Sequence, residues 1–497
     1  MTVEAQDGPG LVLKSAQGRG VLAATILGSG MASLDGTVVN VALPRIGADL
    51  HAGLTALQWT INAYTLTLAG LLLLGGSLGD RLGRRRVFVF GVVWFTVASV
   101  GCTVTPDAGL LIAMRALQGV GAALLTPGSL AILEAVFRRE ERAAAVGAWS
   151  GLGGVATAIG PVLGGVLVGV ASWGWRLVFL INVPIAIAVI VLSTRYVPET
   201  RDEQSRGRLD VTGAALAALG LAFAVYALTE GPRRHWTTAM IVCLTLGVLL
   251  LAAFLLVEAR SRDPMMPLSL FRSRNFSGAN LVTFVVYAAL SGSLFLIPVQ
   301  LQLVSGFTPV AAGSALLPIT GVMLLLSARM GRLAQQIGPR WPMTVGPIVA
   351  GIGLALLARI GADASYLSDV LPALLVFGLG LSATVAPLTA TVLAAAPAHQ
   401  VGVASAVNND IARAAGLLAI AVLPGLAGIT PHAYQHPAEL SAGFHHAVLI
   451  AAGLCALGGL LSAVLIGPDL APTDEARAED PAALQVHCPI GAPHARP

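Results

Sequence analysis

Two ionisable side chains stand in runs where an apolar helix would carry none. Asp35 lies in Leu34-Asp-Gly-Thr-Val-Val-Asn-Val-Ala-Leu-Pro44, and Arg115 opens Arg115-Ala-Leu-Gln-Gly119-Val-Gly121-Ala-Ala123. At about 1.5 Å per residue, Asp35 sits about 12 Å and Arg115 about 10 Å from the outer ends of their helices. A charge at such depth costs on the order of 2.5–3.5 kcal/mol even on a forgiving insertion scale, so each must face a cavity or a partner. Opposite charges at similar depth seek each other. Protonation of Asp35 would weaken that contact and free a two-state gate, which makes Asp35 the candidate proton carrier and Arg115 its coupling partner. The competing reading is a permanent ion pair kept for structure.

Further groups surround this pair in the same chemistry. Gln118 lies one turn from Arg115 on the same helical face, where it would line the same cavity. Near the far end of the chain, Asn408, Asn409, Asp410 and Arg413 are deep in an apolar run. Asp410 and Arg413 are three apart on one face and read either as an intrahelical pair or as a second proton or substrate site. Asn40, Trp59, Tyr64, Gln300, Gln302 and Asn408 complete the polar and aromatic candidates for a substrate cavity, with Gln118 and Arg413.

Two motifs look conformational and a third looks like an anchor. The stretch Gly76-Ser-Leu-Gly-Asp80-Arg81-Leu-Gly83-Arg84-Arg-Arg86 sets an acid among arginines, with Gly76 and Gly83 allowing a tight turn between helices. It recurs in degraded form as Gly331-Arg-Leu-Ala-Gln-Gln-Ile-Gly338-Pro-Arg, where Gln335 replaces the acid. Gly160-Pro161-Val-Leu-Gly164-Gly165 joins a helix-breaking proline to small residues at helical spacing, a packing seam that can also bend. Trp173, Trp175 and Arg176, followed by Phe179, Asn182 and Pro184, read as an interfacial anchor.

The elements that must position these residues are membrane spans. Hydrophobic residues make up 56% of the 497 and charged ones only 11%, where soluble proteins carry roughly 25%. Apolar runs long enough to cross a bilayer fall near 20–43, 57–78, 87–106, 108–133, 144–169, 175–193 and 210–229. Seven more fall near 237–257, 277–304, 309–328, 342–360, 368–393, 400–425 and 444–466. With the N-terminus inside, alternation places Arg81, Arg84, Arg85, Arg86, Arg138, Arg139 and Arg142 in the cytoplasm, and likewise most later loop arginines. The outside keeps Arg45, Arg176, Arg233, Arg234 and Arg359. That asymmetry puts both termini in the cytoplasm of a multi-pass cell-membrane protein.

The pattern excludes other classes. Lys14 is the only lysine and follows leucine, so no Gly-Lys-Ser/Thr nucleotide loop exists and transport driven by the chain's own ATP hydrolysis is not expected. The arginines sit in short loops rather than one stripe, which argues against nucleic acid. Cys102, Cys243 and Cys455 lie in apolar runs and Cys488 in the tail, without paired ligand spacing. His432, His436, His445 and His446 read as solvated loop residues rather than metal ligands. No metal or organic cofactor is expected, and the coupling ion would be the proton. The first apolar run lacks a cleavage pattern and should remain as the first span.

Taken in order, the motifs Asp35–Pro44, Gly76–Arg86, Arg115–Ala123, Gly160–Gly165 and Trp173–Pro184 resemble those of the major facilitator superfamily. Within it they are similar to the fourteen-span drug:proton antiporters, across roughly residues 20 to 466. The resemblance implies an all-α integral membrane fold of two six-helix bundles plus two linker helices. Segments 1–19 and 467–497 would be a cytoplasmic N-terminal segment and a disordered cytoplasmic tail. Residues 20–193 and 277–466 would be the bundles, with 194–276 holding cytoplasmic linkers and two extra helices.

It further implies export of lipophilic drugs or antibiotics against inward proton flow by a protein functional as a monomer. By that likeness Asp35 is the protonation site and Arg115 its partner. Asp80 and Arg81 form the gate, with Gly76, Gly83 and Arg84 beside them, and Gly160, Pro161, Gly164 and Gly165 form the antiporter hinge. One departure is visible: some relatives that export dicationic compounds carry a carboxylate in the tenth span, and 309–328 has none. An uptake symporter or facilitator for a small metabolite is the alternative within the same fold, and a non-transporting receptor a more distant one.

Overall fold

The computed structural model describes residues 10–201, 210–261, 264–397 and 400–468, without the side chains of Ala143 and Pro431. The outer parts of the expected 1–19 and 467–497 segments and the centre of the charged linker, 202–209, lie outside these residues. Among the described residues, fourteen helices are long and apolar enough to cross a membrane. They are α1 (Ala16–Asp49), α2 (Leu54–Leu82), α3 (Arg84–Thr103), α4 (Ala108–Val136), α5 (Arg139–Gly169), α6 (Gly174–Tyr196) and α7 (Val211–Glu230). The remainder are α8 (Thr238–Arg260), α9 (Arg274–Leu303), α10 (Pro309–Ile337), α11 (Arg340–Arg359), α12 (Tyr366–Ala394), α13 (Val401–Leu426) and α14 (Pro437–Leu465).

Each expected span has its helix, and most helices outrun their apolar stretch into polar residues at one end or both. Ser15 Oγ accepts from the Gly18 N–H at 2.9 Å, and Asp107 Oδ1 accepts from the Leu110 N–H at 2.9 Å. The widest gap is at the end of α10, which runs to Ile337 rather than to about 328, and the next is α14, which begins at Pro437 rather than near 444. A polar turn, Pro437-Ala-Glu-Leu, opens it with proline in the first turn, where no N–H is missed.

The two halves repeat one packing scheme. α2 and α3 both pack on α4, and α1 packs on α5 and α6; in the second half α10 and α11 both pack on α12, and α9 packs on α13 and α14. The glycine repeat has a matching geometry. Gly83, φ +115°, turns the chain from α2 to α3, and Gly338, φ +83°, turns it from α10 to α11. Gly76 does not form part of that turn: α2 runs on through it to Leu82, and a Cβ there would make an ordinary contact with Pro127 of α4 at 3.5 Å. The extra helices are asymmetric, since α7 lies on α2 and also on α13, with Val225 packed among Leu417 and Ala421, while α8 packs mainly on α7.

The bundles are sealed together on the arginine-poor side. Gln302 donates to the Val41 carbonyl at 2.9 Å, and Gln58 donates to the Ile420 carbonyl at 2.6 Å. Gly165 lies against the backbone of Pro309, and Gly313 against the Pro161 carbonyl. On the arginine-rich side no hydrogen bond or ion pair joins the bundles among the described residues, and a Cβ built at Gly147, Gly151 or Gly154 of α5, Gly321 of α10 or Gly402 of α13 meets nothing within 4 Å. A cleft between the bundles therefore opens toward the arginine-rich face.

Candidate functional site

Asp35 and Arg115 meet inside the first bundle, 0% and 1% exposed, with Arg115 Nη1 donating to Asp35 Oδ2 at 2.5 Å. Further bonds hold each group. Arg115 Nε donates to the Thr60 carbonyl at 2.9 Å and Nη1 to Gln118 Oε1 at 2.7 Å. Gln118 Nε2 donates to Asp35 Oδ1 at 2.8 Å and to Ser99 Oγ at 2.8 Å. Asn182 Nδ2 donates to Asp35 Oδ1 at 3.1 Å and to Ser99 Oγ at 3.2 Å. The guanidinium lies under the Tyr64 ring, 4.3 Å from its centroid, and the Tyr64 hydroxyl donates to the Ala32 carbonyl at 3.2 Å.

This is a buried charge pair with its lone pairs filled, the condition under which mutual attraction offsets the several kcal/mol of desolvation each ion costs. Removing either charge leaves the other stranded. The arrangement gathers α1, α2, α3, α4 and α6 around one carboxylate, so a change in that carboxylate's charge is felt by most of the bundle.

Asn182 and Ser99 are members that sequence reasoning did not assign here. Asn182 falls in the anchor motif after Trp175, yet an amide two residues before Pro184 in an apolar span is a signal. Pro184 has no N–H for the Leu180 carbonyl, the helix is interrupted at Ile181, and Asn182 starts a new segment that turns inward. Ser99 gave none, since its hydroxyl also bonds its own helix at the Phe95 carbonyl. The anchor itself divides: Trp173 is exposed, whereas Trp175 is fully buried and donates to Asp49 Oδ2 at 2.9 Å. Arg176 pairs with that same oxygen.

The cavity at the bundle interface is separate from the ion pair. It measures about 270 Å³ and is lined by Ala32, Ser33, Gly36 and Thr37 of α1, Tyr64, Thr65 and Leu68 of α2, Thr126 of α4, Thr157 of α5 and Arg413 of α13. Asp35 points from α1 into the bundle, and Tyr64 stands between it and this space. Gln118, fully buried on the pair, is therefore no cavity wall, because its amide is consumed by Asp35 and Ser99.

Of the other cavity candidates, Tyr64 and Arg413 line the space and the remainder lie elsewhere. Trp59 donates to Glu230 Oε1 at 3.3 Å, docking α2 on α7. Gln300 bonds the Ile360 carbonyl and Ser441 Oγ within the second bundle, and Gln302 closes the seam. Asn408 donates to Asn280 Oδ1 and Thr283 Oγ1 of α9. Asn40 keeps a buried carbonyl oxygen without a partner.

The intrahelical pair between Asp410 and Arg413 does not form: Asp410 Oδ1 is buried without a partner, and so is Arg413 Nε. Their positions share a face, but Arg413 extends to the cavity instead.

In the arginine-rich loop Asp80 pairs with Arg84 at 2.8 Å rather than with Arg81, whose Nε is buried without a partner. Arg84 also donates to the Ala131 carbonyl, so this cluster braces α2 to α4 within one bundle. Gly160 packs on Thr37 and Gly164 on Val38, which brings α5 against α1 beside the ion pair. His432, His436 and Glu439 lie on the arginine-poor surface with ligand-type atoms within 4.8 Å of one another. His445 is half-buried and bonds the Ile360 carbonyl at 3.0 Å.

Residues 25–421 match the family described as Major Facilitator Superfamily. The chain is 36% identical over 455 residues to a puromycin resistance protein of Streptomyces alboniger, covering 89% of this chain and 90% of that one. It is 35% identical to a tetracenomycin C resistance and export protein of Streptomyces glaucescens, over 85% and 79% of the two chains. Identity is also 35% to a methylenomycin A resistance protein of Bacillus subtilis, over 82% and 87%. Among solved structures, a bacterial homologue of the human lysosomal transporter Spinster, captured inward-facing, superposes with a TM-score of 0.67 at 16% identity, over 91% of this chain and 97% of that one. A POT-family transporter gives a TM-score of 0.65 at 15% identity, over 93% and 99%.

Proposed function

This chain belongs to the major facilitator superfamily, and on that premise we propose that it is a proton-coupled antiporter exporting lipophilic drugs or antibiotics across the cell membrane. It is a multi-pass membrane transporter and not an enzyme. The relatives' names support export, and the positive-inside asymmetry supports a cytoplasmic location for both termini and for the open cleft. The bodies that rock are the bundles at 20–193 and 277–466, with 194–276 between them. One copy of the chain suffices, with no cofactor beyond the proton.

The observation that carries the reading is the sealed Asp35–Arg115 pair. In the state with the cleft open to the arginine-rich face, Asp35 is held by Arg115, Gln118 and Asn182, three donors suited to a carboxylate that has given up its proton. A proton arriving at Asp35 removes the charge that Arg115 answers, loosening α1, α4 and α6 against one another. That proton comes from outside, after the loaded protein has turned outward with Asp35 charged; because α1 also supplies Val41 to the seam and Thr37 to Gly160, the change re-closes the outer side, and the proton leaves to the cytoplasm as the pair re-forms. One charge crossing 100 mV is worth about 2.3 kcal/mol, enough for about a 40-fold concentration ratio.

The test is gradient-driven uptake of a fluorescent lipophilic dye into inverted vesicles by the wild type and by Asp35→Asn. Uptake that requires both the pH gradient and Asp35 is expected. Equal uptake by the variant would exclude Asp35 as the carrier, and dye movement indifferent to the gradient would point to facilitated diffusion.

A further inference from the structure

The cavity's charge and hydrogen-bonding character specify the kind of molecule it holds. Asp35 is sealed behind Tyr64 and neutralised by Arg115, so its carboxylate contributes no accessible negative charge to the space. Asp410, on the same helix as Arg413, buries its oxygen Oδ1 without a partner and is absent from the lining. Arg413 is thus the single charged side chain on the wall, and among the described residues it has neither an ion pair nor a hydrogen bond. A guanidinium at membrane depth is costly unless answered, and its planar fork suits a carboxylate or phenolate.

Four of the five serine and threonine hydroxyls on the opposite wall carry a second constraint, Ser33 being the one without a hydrogen bond among the described residues. Thr37 donates to the Leu34 carbonyl at 3.0 Å, Thr65 to Ile61 at 3.1 Å, Thr126 to Ala122 at 2.7 Å and Thr157 to Gly153 at 3.0 Å. Their protons are spent on their own helices. What these oxygens offer the cavity is lone pairs, which accept from a ligand's O–H or N–H groups.

We propose that the cavity selects amphipathic organic acids, with Arg413 binding the ligand's carboxylate or ionised phenol and the Thr37, Thr65, Thr126 and Thr157 oxygens accepting from its hydroxyl or amide protons. The apolar body lies on the ring of Tyr64. Lipophilic cations meet the like charge of Arg413 and are disfavoured. The assignment deepens the export reading and rests on it for the direction of flow, though not for binding.

The experiment measures direct binding to the purified full-length protein in detergent, by naphthalene fluorescence polarisation, with three matched probes: a hydroxynaphthoate, its methyl ester and a naphthyl trimethylammonium. The wild type should bind the acid at least about tenfold more tightly than the ester or the cation, the step a charge-assisted bidentate contact provides. Arg413→Gln should erase that preference, and Arg413→Lys should retain part of it. Tighter binding of the cation, equal binding of acid and ester, or no binding of any probe by the wild type would overturn the proposal. If Arg413→Gln fails to fold, the wild-type acid-to-ester ratio and the lysine variant still decide it. Vesicle flux of the same acid separates the two claims: Arg413-dependent binding without gradient-driven movement would sink the antiport reading and leave this one standing.

Discussion

Removing one charge from the Asp35–Arg115 pair should cost far more than half of removing both. In Asp35→Asn, Arg115 remains 1% exposed with the Thr60 carbonyl and Gln118 Oε1 as acceptors but no counter-charge. In Arg115→Met, the Asp35 carboxylate remains fully buried with only the Gln118 and Asn182 amides to donate. Breaking a buried pair from one side costs about 3–5 kcal/mol, so additivity would put the double variant about 6–10 kcal/mol below the wild type. The double variant strands no charge and should lose no more than about 4 kcal/mol, a coupling of at least about 2 kcal/mol. Equilibrium unfolding in mixed micelles at rising sodium dodecyl sulfate, followed by tryptophan fluorescence, measures all four proteins. Additivity within about 0.5 kcal/mol would refute the argument, because side chains that add so closely do not share one network.

Three further outcomes follow from the seam and the turn. Gly165→Leu should abolish export and leave the outer side open, since even its Cβ would stand 2.5 Å from the Pro309 carbonyl oxygen; maleimide labelling of a cysteine placed at Ala42 in a cysteine-free background should rise. Gln302→Leu removes a seam hydrogen bond made in the closed state alone, worth about 0.5–1.5 kcal/mol because the Val41 carbonyl keeps its helical partner, and should shift the opening equilibrium by about two- to tenfold in the same labelling assay. Gly83→Ala should lower the melting temperature more than Gly76→Ala or Asp80→Asn does. Its φ of +115° strains any L side chain and its Cβ would stand 2.6 Å from Glu199, whereas the part-exposed Asp80–Arg84 pair is worth only about 0.2–1 kcal/mol.

What the sequence by itself determined is the set of elements and the identity of the buried pair. Bilayer thickness sets the length of an apolar run, so fourteen spans could be counted from hydropathy alone, and their ends shifted where polar residues carry a helix past the apolar stretch, as at Ser15 of α1. Two opposite charges at similar depth have few ways to be satisfied in hydrocarbon, and Asp35 and Arg115 took the nearest. Only the tertiary structure decided which faces look where. Periodicity places Gln118 and Arg115 on one face but cannot say whether that face meets a cavity or another helix, so Gln118 turned inward to Asp35. The same spacing that put Asp410 beside Arg413 could not reveal that Arg413 would reach across to α1 and α2 instead. Asn182 and Ser99 joined the site because a proline interruption in α6 and the packing of α3 brought them there, contacts between residues far apart in the chain that no local pattern records.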